Sequence, residues 1–282
     1  MLKSQHHMIF YPEDRTKLDE CTKPRPASVK PCSLPCAVLV PHASYSMVSE
    51  ALHRSFEQVQ MLKPSLVVFL GPLHQEVLSE DEPAFLFTPE SEGITIAGFD
   101  HLFATSLADK LCTMFPTQVV KQDSYFIEEP ALELTLPFIQ SYFGDTPTLP
   151  LLCGSCNRAQ LAVYTKVLQA ITKLAPQVLF IVSSNANAVL PATEAAKHAA
   201  AFVRTLSKGS SLCEGLRTHT ISSCNAASLD AVAAQSWANG HWDITAMFLG
   251  GKEYETIEAE LDDPEKHVWH ISATLGASHD YQ

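Results

Sequence analysis

Two histidines follow apolar runs in the same way. His42 lies in Pro41-His42-Ala43-Ser44-Tyr45, directly after AVLV, and His74 closes Gly71-Pro72-Leu73-His74, directly after LVVFL. Imidazole suits zinc, copper and iron, and ligands collect at the carboxyl ends of strands in open α/β sheets. A lone strand-end histidine is more commonly a hydrogen-bonded loop residue, but two at equivalent ends put a metal-ligand role on level terms. Cys224, in Thr220-Ile221-Ser222-Ser223-Cys224-Asn225, precedes the helical pattern ASLDAVAAQSWA. A helix N-terminus favours the thiolate, which makes Cys224 a better ligand or nucleophile than the other cysteines, although an inert thiol near a cap reads equally well.

Other groups carry weaker signals. Glu128, Glu129 and Glu133 open a helical stretch, and Glu129 and Glu133 are spaced i, i+4 on one face, where carboxylates serve a helix dipole or line a pocket. Ser183-Ser184-Asn185-Ala186-Asn187 follows VLFIV and offers hydrogen bonds but no acid or base. Cys153-Gly154-Ser155-Cys156 has redox or zinc spacing, yet its first cysteine sits in the apolar run LPLLC and reads as a buried thiol. Cys32 and Cys36 lie in a proline-rich arm without partners. The remaining histidines, His267 and His270 among them, are assigned no chemistry.

The elements that must position these groups alternate along the chain. Short β-rich runs at 37–41, 65–71, 83–89, 117–122, 148–154 and 177–184 are separated by helical patterns at about 47–61, 101–114, 131–143 and 158–174. Helices near 193–208 and 225–238 and two strands, DITAMFLG and HVWHISATLGA, follow. This is βαβ signalling, so the expected fold is α/β, a three-layer sandwich around a mostly parallel mixed sheet. Residues 22–36 have no apolar period; residues 1–36 are expected to form an N-terminal arm packed on one domain spanning 37–282.

Composition bounds the function. With 46% hydrophobic residues the chain can bury a sizeable core, and its formal charge of -12 disfavours nucleic acid and anionic lipid as partners. There is no signal-peptide run at the start and no stretch of roughly 18–20 apolar residues, so a cytoplasmic protein without membrane contact is expected.

Taken in order, the segments resemble the Memo family, relatives in fold of the class III extradiol ring-cleaving dioxygenases. HHMIFYPED is similar to the family's opening SHAGSWYP element, with His6 in its histidine position, VLVPHASY to IAPHAGY, and VVFLGPLHQ to FILGPSHH. FTPESEGITI is similar to TPLGDLPVD, EEPALELTLPFIQ to EHSLEVQLPFL, LPLLCG to VPVLVG and FIVSSNANA to VVSSDFSHW. THTISSCN looks like the segment carrying the family's ICG cysteine. The resemblance implies a metal triad at His42, His74 and Cys224, with His6, Gln75, Glu133, Asn185 and Asn187 about the pocket. A thiolate third ligand is soft and suits iron or copper, with zinc able to substitute. The chain departs from the pattern at Gln75, Pro130, Asn185, Ala188 and Asn225, which removes three groups able to move protons or hold a polar substrate.

Two functions follow from that resemblance. One is a binding protein whose metal-capable pocket takes a small molecule or peptide, or which partners a radical-enzyme system. The other is a non-haem metal-dependent oxidoreductase of the extradiol type, in which Glu129 or Tyr45 would supply the missing acid or base.

Overall fold

The computed structural model describes residues 1–26, 35–75, 78, 82–154, 156–175, 177–258 and 265–277. In chain order the elements are β1 (Leu2–Lys3), α1 (Arg15–Thr22), β2 (Pro35–Val40), α2 (Tyr45–Glu57), β3 (Leu66–Pro72), β4 (Leu86–Thr88), β5 (Gly93–Ile96) and β6 (Phe99–Leu102). Then come α3 (Thr105–Met114), β7 (Val119–Lys121), α4 (Asp123–Glu128), α5 (Pro130–Phe143), β8 (Thr148–Cys153), α6 (Arg158–Leu174) and β9 (Val178–Ser183). The chain continues through β10 (Leu190–Pro191), α7 (Ala192–Ser207), α8 (Leu212–Arg217), α9 (Ala226–Ala233), β11 (Ala238–Leu249), β12 (Lys252–Tyr254), β13 (Lys266–His267) and β14 (Trp269–Ala277).

A nine-stranded sheet in the order β12-β11-β14-β2-β9-β3-β8-β4-β7 forms the middle layer. Its centre, β2, β9, β3 and β8, is parallel, while β14, β11 and β12 extend one side by antiparallel pairing and β4 pairs antiparallel with β8 on the other. The central strands are apolar on both faces because both are covered. Ala37, Leu39, Val68, Leu70, Phe180 and Val182 pack with α6, α7 and α9, whereas Val38, Val40, Val67, Phe69, Leu179 and Ile181 pack with α2 and α5. The period-2 alternation of strand side chains therefore feeds two separate apolar layers.

The connections create the site. The chain leaves β2 through α2, skips one place and enters β3; it later leaves β8 through α6 on the opposite face and fills the skipped place with β9. The strand order reverses there, and in such sheets the crevice at the carboxyl ends collects ligands. Residues 42, 74 and 184–185 all emerge from it.

Some elements differ from expectation. The stretch expected to be helical from about 101 opens instead with the last residues of β6, the second strand of a hairpin with β5 whose turn holds Ala97 and Gly98 at positive φ, and α3 begins only at Thr105. The helix expected over 225–238 ends at Ala233; residues 234–237 turn the chain, and Ala238 begins the long strand β11 opposite β14. Cys32, Ser155 and His279 lie outside the described residues.

Candidate metal centre

His42 stands two residues beyond β2. Its Nδ1 is 2.8 Å from Ser183 Oγ at the end of the neighbouring β9, which leaves Nε2 facing Cys224 Sγ at 3.5 Å. His74 stands two residues beyond β3 with its Nδ1 2.8 Å from Glu129 Oε2, and its backbone N–H donates to the same oxygen at 3.2 Å. The two imidazole centroids are 5.1 Å apart. Cys224 sits one residue before the Asn225 cap of α9, and its sulfur accepts from the Asn185 backbone N–H at 3.2 Å. Donor atoms of His42, His74 and Cys224 all lie within 4.8 Å of one another. His42 is buried, Cys224 half-buried and His74 exposed.

The chemistry of this donor set, two imidazoles and a thiol, suits a transition-metal ion, and one of its pairs already has the spacing of ligands on a single ion. Ligands ~2.0–2.3 Å from one ion at near-tetrahedral angles stand ~3.3–3.6 Å apart, and the Sγ to Nε2 separation of 3.5 Å falls in that span. Each histidine also has its other ring nitrogen held by an oxygen, the hydroxyl of Ser183 or the carboxylate of Glu129, as ligating histidines require.

The electrostatics point the same way. Burial alone would raise the Cys224 thiol, but the charges of His42 and His74 and their hydrogen bonds bring it down to about 5. Burial would lower His74, but the hydrogen bonds its ring donates to Cys224 and Glu129, and their negative charges, lift it to about 10. Burial opposes ionisation of Glu129 as well; the hydrogen bond and charge of His74, and the charge of His42, hold it below the usual carboxylate range.

Glu129 owes its position to Pro130. A residue before proline is turned away from helical geometry, and Glu129 is accordingly the extended cap of α5, accepting from the Ala131 N–H at 3.2 Å. It therefore does not share a helix face with Glu133. The fully buried Glu129 carboxylate turns to His74, whereas Glu133 accepts from the backbone of Gln5 and His6 and, at 2.5 Å, from the Tyr11 hydroxyl.

The other expected pocket residues are placed as follows. Tyr45 is buried with its hydroxyl donating to Leu134 O at 2.7 Å, and burial pushes that phenol far up, so it is committed to α5 rather than to the triad. His6 Nε2 lies 3.1 Å from Ile127 O, and Gln75 is exposed beside His74. Asn187 binds Ala188 O, His267 O and the Trp269 N–H, tying its loop to β14. Asn185 alone of these contacts the triad, through the His42 backbone and the Cys224 sulfur.

His270 was given no chemistry from sequence, yet its Nδ1 stands 3.1 Å from Asn185 Oδ1, and burial beside His42 pushes it down to about 4. The Cys153 thiol is buried at the end of β8, as its apolar run indicates, and Cys36 donates to Leu275 O at 3.1 Å. A separate groove lined by Ser65, Leu66, Phe103, Thr105, Lys110 and Leu174 lies at the opposite end of β3 from His74.

The family model described as Memo-like protein matches residues 4–212, a span that holds His42, His74, Glu129 and Asn185 and stops before Cys224. No curated protein sequence matches the chain. Among solved structures, an uncharacterized protein from Escherichia coli K12 is similar at 14% identity and a TM-score of 0.48, over 83% of this chain and 98% of that one.

Proposed function

The chain belongs to the Memo-like protein family, and on that premise we propose that it is a metal-binding protein whose ion is held by His42, His74 and Cys224. The observation that carries this reading is the convergence of two imidazoles and one thiol, their donor atoms within 4.8 Å, from β2, β3 and the start of α9. A thiolate with two imidazoles selects iron, copper or zinc over magnesium or calcium, which prefer oxygen. Such an ion, when bound, supplies Lewis acidity or, for iron and copper, redox chemistry.

The residues of the chain set the rest. Glu129 orients the His74 ring and supports positive charge there; Ser183 orients His42; the Asn185 N–H holds the Cys224 sulfur. His74 is the exposed member of the three, so a small molecule or peptide segment reaching the site meets it first. Among the described residues, the groups beyond Glu129 that hydrogen-bond to the triad are Ser183, Ser184 and Asn185, uncharged side chains that bind but do not exchange protons at neutral pH. Binding is therefore preferred to oxidative ring cleavage, for which Tyr45, tied to Leu134, supplies no acid or base.

The experiment is metal analysis of protein purified without chelator, followed by titration of His42→Ala with the same ion. About one ion per chain, lost in the variant, supports the reading; no uptake, or uptake unchanged by His42→Ala, removes it.

A further inference from the structure

Asn185 lies two residues beyond β9, and β9 lies between β2 and β3, so this residue emerges between the strand ends that lead to His42 and His74. Its Oδ1 accepts from the His42 N–H at 3.2 Å and its Nδ2 donates to the His42 carbonyl at 2.9 Å. A backbone N–H only donates and a carbonyl only accepts, so a single carboxamide orientation satisfies both. An aspartate here could take the N–H but would have nothing to give the carbonyl.

With Oδ1 fixed in this way, the His270 nitrogen 3.1 Å from it has to be the donor, which puts the ring hydrogen on Nδ1. His270 is 1% exposed, and its Nε2 has no hydrogen-bond partner among the described residues, so nothing else competes for the choice of tautomer. Meanwhile the Asn185 backbone N–H donates to Cys224 Sγ, and the loop is pinned by the Ser184 N–H on Val40 O at 2.9 Å. One residue thus grips the His42 backbone through its side chain and the Cys224 sulfur through its main chain.

We propose that Asn185 is a positioning residue that sets His42 and Cys224 at their mutual separation, and that His270, as the Nδ1–H tautomer, locks the Asn185 carboxamide. The inference rests on the metal-binding reading of the triad. It assigns His270 a role through Asn185 and none at the ion itself.

Two measurements test it on the full chain. Nitrogen-15 NMR of the wild-type imidazoles, in metal-free protein, reads the His270 tautomer; cobalt(II) titration of wild type, Asn185→Ala and His270→Phe reads the site. The expected results are Nδ1–H at His270, a loss of about 10–100-fold in cobalt(II) affinity for Asn185→Ala with a weakened thiolate-to-cobalt absorption, and a smaller loss in the same direction for His270→Phe. An Nε2–H tautomer, or an Asn185→Ala affinity within about twofold of wild type, overturns the proposal. A purely structural role would lower the unfolding temperature and leave affinity and spectrum alone, which also overturns it. If wild type takes up no cobalt(II), the metal reading falls separately, and the tautomer decides the lock: Nδ1–H supports it and Nε2–H overturns it.

Discussion

The Nδ1 of His74 and the Oε2 of Glu129 stand 2.8 Å apart, and the same oxygen accepts the His74 backbone N–H at 3.2 Å. One fully buried carboxylate therefore fixes both the ring and the main chain of a residue that is itself exposed. A carboxylate behind a histidine sets its tautomer and raises its basicity, leaving Nε2 as the outward donor.

Replacing Glu129 with Gln is expected to weaken cobalt(II) or zinc binding by about 10–100-fold, since the charge behind His74 is lost while the shape is kept. Competition against a chromophoric chelator measures this. Unchanged affinity would mean that His74 needs no support from Glu129.

The metal-free pair of Cys224 and His74 has a defined pH window. Cys224 has its pKa lowered to about 5, so its contribution to stability is present above the ordinary thiol range and is lost as pH falls through about 5. His74 is raised to about 10, so its contribution is full below the ordinary imidazole range and is lost as pH rises through about 10. Thiolate absorbance near 240 nm, followed by pH titration of wild type against Cys224→Ser, should show a single thiolate persisting down to about pH 5. A thiol that ionises only near pH 8–9 contradicts the pairing.

Cys224 should react with iodoacetamide at pH 6.5 well before Cys153, whose sulfur is buried and whose pKa is raised, first by its contact with Cys156 and then by burial. Peptide mass spectrometry at short times reads the order, and added zinc should protect Cys224. Equal or reversed rates, or no protection, would remove the case for an activated ligand thiol.

Glu133 is expected to matter for stability and not for metal. Glu133, 2% exposed, accepts from the part-buried backbone N–H groups of Gln5 and His6 and from the buried Tyr11 hydroxyl, so Glu133→Ala strands one buried donor and loosens two others at a cost on the order of 1–3 kcal/mol. Chemical denaturation should show that loss while cobalt(II) affinity stays near wild type. A variant with normal stability and impaired metal binding would place Glu133 at the triad instead.

How much of this was legible in the sequence depends on how far apart the partners lie. The parallel centre could be read because β2, β3, β8 and β9 are buried on both faces and therefore written as unbroken apolar runs. His42 and His74 could be found because a strand end is a position that sequence marks. The hairpin β5–β6 was obscured by its shortness, although Ile94-Thr95-Ile96 alternates and Ala97-Gly98 is a usable turn signal. Helical periodicity placed Glu129 and Glu133 on one face, and the signal that separates them, Pro130, is a single residue. His270 lies inside β14 and gains its role only from Asn185, 85 residues earlier. Such a contact exists once β14 has paired with β2, and no local pattern announces it.

The most direct test of the triad is cobalt(II) titration of metal-free wild type beside His42→Ala, His74→Ala and Cys224→Ser, followed by absorbance. One ion per chain, with a thiolate-to-cobalt band that Cys224→Ser abolishes and affinity reduced in both histidine variants, is the predicted result. Wild type that binds no stoichiometric ion, or binds it with the same affinity and spectrum in all three variants, would contradict a metal centre at His42, His74 and Cys224.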